Sequence, residues 1–194
     1  MNIFIHHRDL RINDNTTLNL MEENTIPIFI FTPDQIKKNS YKSEKFVKFM
    51  CENLIDLNEQ YKKNKSLLNF FYGDSLKVIK KIHKKYPINS IGFNADYSPF
   101  AKKRDGDIKN WCEKNNIKVV SEEDMLLVPI KTGKTMAKSS KQAYKVFTPF
   151  KNYLKKTYKI EPVSKKKPKL IKKEINISEK INTSYFNKFY KEEK

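Results

Sequence analysis

The sequence predicts an α/β fold: a doubly wound sheet of five parallel strands with helices on both faces, followed by a basic C-terminal extension. Two observations predict it. Short apolar runs rich in Ile and Phe alternate along the first 130 residues with stretches whose apolar residues recur every three or four positions. Two of those runs end in dense clusters of Arg, Asp and Asn, and the carboxyl ends of strands are where an open α/β sheet builds a ligand crevice.

The first strand is residues 2–7, Asn-Ile-Phe-Ile-His-His. The loop after it leads into a helix over residues 16–23, for which Asn13, Asp14 or Asn15 can supply the N-cap oxygen. The second strand, 26–31, reads Ile-Pro-Ile-Phe-Ile-Phe, with Pro27 near the start where a missing N–H is tolerated. Thr32-Pro33-Asp34 ends it, so Asp34 falls at a strand's carboxyl end and is a candidate crevice residue or a turn former. Residues 35–42 read as a polar loop.

A long amphipathic helix follows over 43–63, with Phe46, Phe49, Met50, Asn53, Leu54 and Leu57 as its expected buried stripe. Residues 67–72 are the third strand. Asp74 or Ser75 caps a helix over 76–85, which Pro87 ends. The fourth strand is 91–94, and Pro99 fixes part of the loop behind it. A helix over 101–115 turns Ile108 and Trp111 inward, and 118–121 is the fifth strand. Residues 125–129 read as a further extended piece and 131–143 as a mobile loop. A helix is expected over 146–158. Residues 160–175, lysine-rich with Pro162 and Pro168, read as a disordered linker, and the scattered Ile, Tyr and Phe of 177–190 as a segment that docks on a partner.

The basic residues are unevenly chosen. Of 40 Lys and Arg only Arg8, Arg11 and Arg104 are Arg, and all three lie in the two strand-end clusters. A planar, bidentate cation suits a buried carboxylate or a phosphate; the same Arg also suit ion pairs with Asp9, Asp14 or Asp105 that only hold loops. The net charge is +18, and residues 151–194 hold 14 Lys against 5 Glu. Such a tail is suited to salt-sensitive, sequence-independent contact with nucleic acid, or is plain solvated surface.

Several classes are excluded. No apolar run approaches the roughly 20 residues of a membrane-spanning helix. The four glycines form no phosphate-binding loop, and His6, His7, His83, Cys51 and Cys112 have no metal spacing. The cysteines read as reduced core residues, so a reducing intracellular compartment without secretion is the expectation.

The clusters carry a resemblance. Arg8-Asp9-Leu10-Arg11-x-x-Asp14-Asn15 resembles the opening signature of the photolyase/cryptochrome family. Asn94-x-Asp96-Tyr97-x-Pro99-x-Ala101-x-x-Arg104-Asp105 is similar to that family's fourth strand-to-helix segment, and Tyr144-Lys145-Val146-Phe147-Thr148-Pro149-Phe150 to the segment leaving its N-terminal domain. The resemblance implies a Rossmann-like strand order 3-2-1-4-5, which sets the two Arg-bearing loops across one crevice. It implies an antenna domain over 1–130 with 131–194 as a basic strap, lacking the helical domain that in the family binds FAD and damaged DNA.

In the family the crevice holds a light-harvesting pigment: a deazaflavin, a flavin or a reduced folate. Arg8, Asp9, Asp34, Asp96 and Arg104 are the candidate pigment-binding residues, and Arg11, Asp14 and Asn15 the loop organisers. Phe100 and Ala101 stand where the folate-using branch has Asn and Glu, so a deazaflavin or flavin is favoured. His6 and His7 occupy a run that in the family usually holds an aromatic and an Arg. Three functional readings follow. The first is an antenna domain of a truncated or split photolyase, serving light-dependent DNA repair through a separately encoded FAD domain and inactive alone. The others are a non-catalytic remnant and a basic nucleic-acid-binding module using 151–194.

Overall fold

The computed structural model describes residues 1–37, 43–133, 136 and 142–190. The end of the expected polar loop 35–42, and most of the expected mobile loop 131–143, lie outside the described residues.

The parallel strands form as expected: β1 (Asn2–His6), β2 (Thr25–Phe31), β3 (Asn69–Tyr72), β4 (Ser90–Gly92) and β5 (Lys118–Val120). β1 is central, with Ile3 opposite Ile26 of β2 and Ile91 of β4. The order of these five is 3-2-1-4-5, as the family resemblance implied. The described sheet has a sixth strand, β6 (Lys180–Ile181), which runs antiparallel on the edge of β3 with Ile181 opposite Phe70. The expected count of five is corrected by a strand from the basic extension.

Alternating side chains feed two cores. Ile3, Ile5, Ile26, Ile28 and Phe71 pack with Val78, Ile79 and Ile82 of α4 (Ser75–Lys85) and Ile108 of α5 (Pro99–Lys114). Phe4, Phe29, Phe31 and Phe70 face the other way, onto Leu18 of α1 (Thr16–Leu20) and Val47, Leu54 and Tyr61 of α3 (Glu44–Lys63). Gly92 of β4 leaves the space in which Met21, just after α1, lies; a Cβ there would stand 2.3 Å from the Met21 sulfur.

Caps settle the helix starts. Asn15 caps α1 and Asp74 caps α4, each accepting from a backbone N–H of the first turn. Residues 33–36, expected to be turn and loop, form the short helix α2 (Pro33–Ile36). Thr32 and Gln35 close a reciprocal capping box around its start. The expected stripe of α3 is rotated: Val47, Cys51, Leu54, Leu57, Asn58 and Tyr61 are buried, while Phe46 and Phe49 are exposed. Residues 125–129 do not form a strand, and a 3-10 turn follows at Ile130–Thr132. Helix α6 (Phe147–Thr157) has no buried residue.

The C-terminal extension differs most from expectation. Residues 160–175 are not a free linker over their second half. The Lys169 carbonyl accepts from the Thr25 N–H at 3.0 Å, and the Ile171 N–H donates back to the Thr25 carbonyl at 3.1 Å. Ser66 Oγ donates to the Ile171 carbonyl, and the Ile175 N–H to Asn69 Oδ1. Ile175 is fully buried among the isoleucines of the first core. The aromatic residues of 177–190, expected to meet a partner, instead pack on this chain's own sheet. Phe186 and Phe189 lie 5.0 Å and 4.7 Å from the ring of Phe31, centroid to centroid.

Phe186 is therefore a core residue of the domain. Phe186→Ala is expected to destabilise the chain by about 3–5 kcal/mol, read as a lowered urea midpoint with unchanged slope. A change below about 0.5 kcal/mol would show that 183–190 is not part of the folding unit.

Candidate functional site

β1 and β4 are neighbours, and the chain leaves their carboxyl ends in different directions, toward α1 and α5. That is the switch point of the sheet, and both Arg-bearing loops meet there. Asn94, the second residue after β4, ties them together. Its Nδ2 donates to Asp9 Oδ2 at 2.7 Å and Asn15 Oδ1 at 2.9 Å, and its Oδ1 accepts the Thr17 N–H at 3.0 Å.

Asp9 is 5% exposed, with both oxygens engaged. Oδ1 accepts the His7 N–H at 2.9 Å, and Oδ2 accepts Asn15 Nδ2 at 2.9 Å beside the Asn94 bond. Burial by itself pushes this carboxyl up, but the His6 ring beside it and the hydrogen bonds from the His7 N–H and Asn15 outweigh it and hold the pKa far below the carboxylate range. His6 Nδ1 faces only acceptors, the Asp9 carbonyl at 3.0 Å and carboxylate at 3.6 Å, so it carries the proton. Its Nε2 then accepts from the Tyr61 hydroxyl at 2.6 Å, joining β1 to α3.

Arg104 is held in the same way. Its Nε donates to Asp105 at 2.7 Å and its Nη2 to His7 Nδ1 at 2.9 Å, with 11% of the side chain exposed. His7 is therefore neutral, with its proton on Nε2. Burial, then the Arg104 charge, lower its pKa to about 3. Arg8 differs: 63% of its side chain is exposed, and its Nε sits 3.2 Å from Asp96 Oδ2 across the crevice mouth. Asp96 is further held by the Ser98 N–H at 3.0 Å. Burial raises its pKa, and the Ser98 bond and Arg8 charge lower it by more.

The loop organisers behave as a group. Asn15 caps α1, and Arg11 donates to the Asp14 carbonyl at 2.8 Å and to Asp124 Oδ2 at 2.7 Å. Asp14 Oδ1 also accepts the Ser164 N–H at 2.7 Å, anchoring the extension. Asp124, unmarked in the sequence reading, accepts from the Thr16 N–H and hydroxyl at 3.0 and 2.6 Å and closes the network from beyond β5. Its only signal was the acidic triplet Glu122-Glu123-Asp124 facing a loop rich in Arg. Asp34 is set apart, exposed on the first turn of α2 beyond β2. The crevice between His7, Arg8, Asp9, Asn94, Ala95, Asp96 and Met125 has a volume of about 10 Å³, room for one water.

The DNA photolyase family model matches residues 2–169. The chain belongs to the DNA photolyase family. It is 26% identical over 159 residues to the deoxyribodipyrimidine photo-lyase of Buchnera aphidicola, a match covering 78% of this chain and 32% of that protein. Among solved structures, a Sulfolobus tokodaii photolyase is 34% identical with a TM-score of 0.79, covering 100% of this chain and 42% of that one. That structure is described as holding two FAD molecules, with the implication of a novel light-harvesting cofactor. A Synechocystis cryptochrome, 14% identical with a TM-score of 0.82 over 99% of this chain and 40% of that one, shares the fold. This photolyase-like N-terminal domain thus spans less than half the length of each of these three relatives. No described helix is long and apolar enough to cross a membrane.

The photolyase-like crevice has a pH signature through His7. Its folded pKa lies below the ordinary histidine value of about 6.5, so the unfolded chain takes up a proton first as pH falls. The contribution is complete above about pH 6.5 and is lost progressively toward about pH 3. Between pH 7 and 5 the wild-type chain is expected to lose about 1–2 kcal/mol that His7→Gln does not lose, measured by urea unfolding at both pH values. Parallel losses in the two proteins would show that His7 titrates as in the unfolded chain.

Proposed function

We propose that this chain is the antenna half of a photolyase-type enzyme, holding a flat flavin or deazaflavin at the carboxyl end of β1 and β4. The observation that carries the reading is the Arg8–Asp96 pair. Its partners stand on opposite loops of the switch point, and the guanidinium remains mostly in solvent, ready to exchange its carboxylate for a ligand. Asp96 is suited to accept a ring N–H, and Arg8 to meet a phosphate or carbonyl. Asp9 and Arg104, whose polar atoms are engaged within the protein, make the floor that fixes both loops.

A pigment of this size needs several hundred Å³, so the reading requires Arg8 and the exposed Met125 to move off the present crevice of about 10 Å³. The second FAD named for the Sulfolobus tokodaii photolyase favours a flavin over a folate, as do Phe100 and Ala101. When bound, the pigment supplies light absorption and excitation transfer. The chemistry on a DNA lesion belongs to a helical FAD domain supplied from outside these residues. Segment 144–163 supports such a partner: Val146, Phe147, Ile160 and Val163 are each more than 60% exposed.

Purified chain is expected to quench added FAD or FMN fluorescence, with a visible band that mass spectrometry assigns to flavin after denaturation. Arg8→Ala is expected to weaken binding about tenfold, the worth of one charge-assisted contact, and Asp34→Ala to change it less than twofold. No flavin or deazaflavin binding at any concentration would leave the chain a non-catalytic remnant of its family.

A further inference from the structure

The opposite end of the sheet carries a second feature. The amino ends of the strands and the carboxyl ends of α3 and α4 meet there, and the C-terminal extension crosses beneath them. Ser66, directly after α3 and its trailing Lys65, bonds the Ile171 carbonyl at 3.0 Å, and Asn69 at the start of β3 bonds the Lys173 carbonyl at 3.1 Å. The first residue of the chain is at the same end, its ammonium donating to the Pro87 carbonyl at 2.7 Å.

This arrangement gathers positive charge. Lys63 and Lys65 come from the end of α3, Lys84 and Lys85 from the end of α4, and Lys172 and Lys173 from the extension. Lys85 and Lys173 both lie over the ring of Tyr86, at 5.6 and 5.4 Å from its centroid. The N-terminal ammonium is near enough to Lys173 that burial and this charge together lower its pKa. Among the described residues none of the six lysines has a carboxylate within salt-bridge distance. The nearby acids are engaged elsewhere: Glu59 with Lys62, Glu23 with Lys169 and Glu174 with Lys180.

Lysines in the last turns of α3 and α4 have an ordinary explanation, since they offset the partial negative charge of helix carboxyl ends. That explanation does not reach Lys172 and Lys173. The extension is fixed by backbone bonds and by buried Ile175, and its lysines raise the field where it is already positive.

We propose that this face, built jointly by the extension and the ends of α3 and α4, binds the phosphate backbone of duplex DNA without regard to sequence. A polyanion with closely spaced phosphates matches lysines contributed from three segments, and Tyr86 and the engaged acids give no sequence readout. An anionic membrane is the poorer fit, because no large apolar side chain is exposed among these residues: Tyr61, Leu68 and Ile88 are buried and Leu170 and Ile171 half-buried. The face stands at the end of the domain away from the pigment crevice, so it does not depend on the antenna reading.

The test uses the full chain and a fluorescein-labelled 30-base-pair undamaged duplex, followed by anisotropy across a salt series. Lys63→Glu/Lys84→Glu/Lys172→Glu is expected to weaken binding at least tenfold at low salt. It should also flatten the slope of log affinity on log salt by about 2–3. The same three positions changed to Gln should give a smaller loss in the same direction, with unfolding curves confirming that both variants fold. The charge-matched control Lys48→Glu/Lys77→Glu/Lys102→Glu, on exposed positions away from this face, should lose less than threefold. Equal losses in the face and control variants would overturn the proposal, since net charge alone would then govern binding. So would retention of phosphatidylserine vesicles with no affinity for the duplex.

Discussion

The structure depends on one buried carboxylate shared by three segments. Asp9 lies early in the loop after the first strand, and its partners come from that loop, from the cap of α1 and from Asn94 behind β4. An ionised group this deep is tolerated only because each oxygen is supplied with donors, and removing any one leaves a desolvated charge. Asn94 is the other half of the constraint. It is an amide and not a second acid because it must donate to Asp9 and accept from Thr17 at once. The loops are thereby fixed to each other before any ligand is considered, and Arg8 is left as the cation at the mouth with most of its surface in water.

The histidines fit the same constraint in different ways. His6 is buried between Asp9 and Tyr61 and transmits the position of β1 to α3. His7 points toward the crevice and receives a hydrogen bond from Arg104, which an aromatic hydrocarbon there could not do. His6 ends β1 and His7 is the first residue beyond it; the two side chains go to different partners, so one becomes an internal strut and the other a lining group.

The parallel strands were legible because each is a short run of Ile, Phe or Val bounded by turn residues, and α4 because its apolar positions recur at helical spacing. Their order was not: nothing local distinguishes 3-2-1-4-5 from other windings, and it came from the family motifs. The α3 stripe was misplaced because Phe46 and Phe49 are more apolar than Val47 and Cys51, while helix rotation is set by what α3 packs on. α2 carried a local signal, Thr32-x-x-Gln35, that a turn reading of Thr-Pro-Asp hid. The extension was illegible for a different reason. Ile171, Ile175, Ile181, Phe186 and Phe189 are spread among lysines with no fixed period, and each is placed by a non-local partner. Asp124 meets Arg11 across 113 residues of sequence, a contact no window reveals.

The two ends of the sheet divide the cations by type. At the carboxyl end the chain uses its three Arg, and each has a carboxylate: Asp96, Asp124 or Asp105. At the amino end the chain uses Lys: Lys118 and Lys169 pair with Glu22 and Glu23, but among the described residues Lys63, Lys65, Lys84, Lys85, Lys172 and Lys173 have no such partner. The division follows from the side chains themselves. A guanidinium keeps its charge when partly buried and fixes two neighbours in a plane, which suits a crevice that must hold its shape. An ammonium on a flexible stem stays hydrated and exchanges partners cheaply, which suits a surface that meets a phosphate chain in any register. The extension connects the ends: Asp14 anchors it at Ser164 beside the crevice, and Asn69 fixes it at Lys173 and Ile175 below.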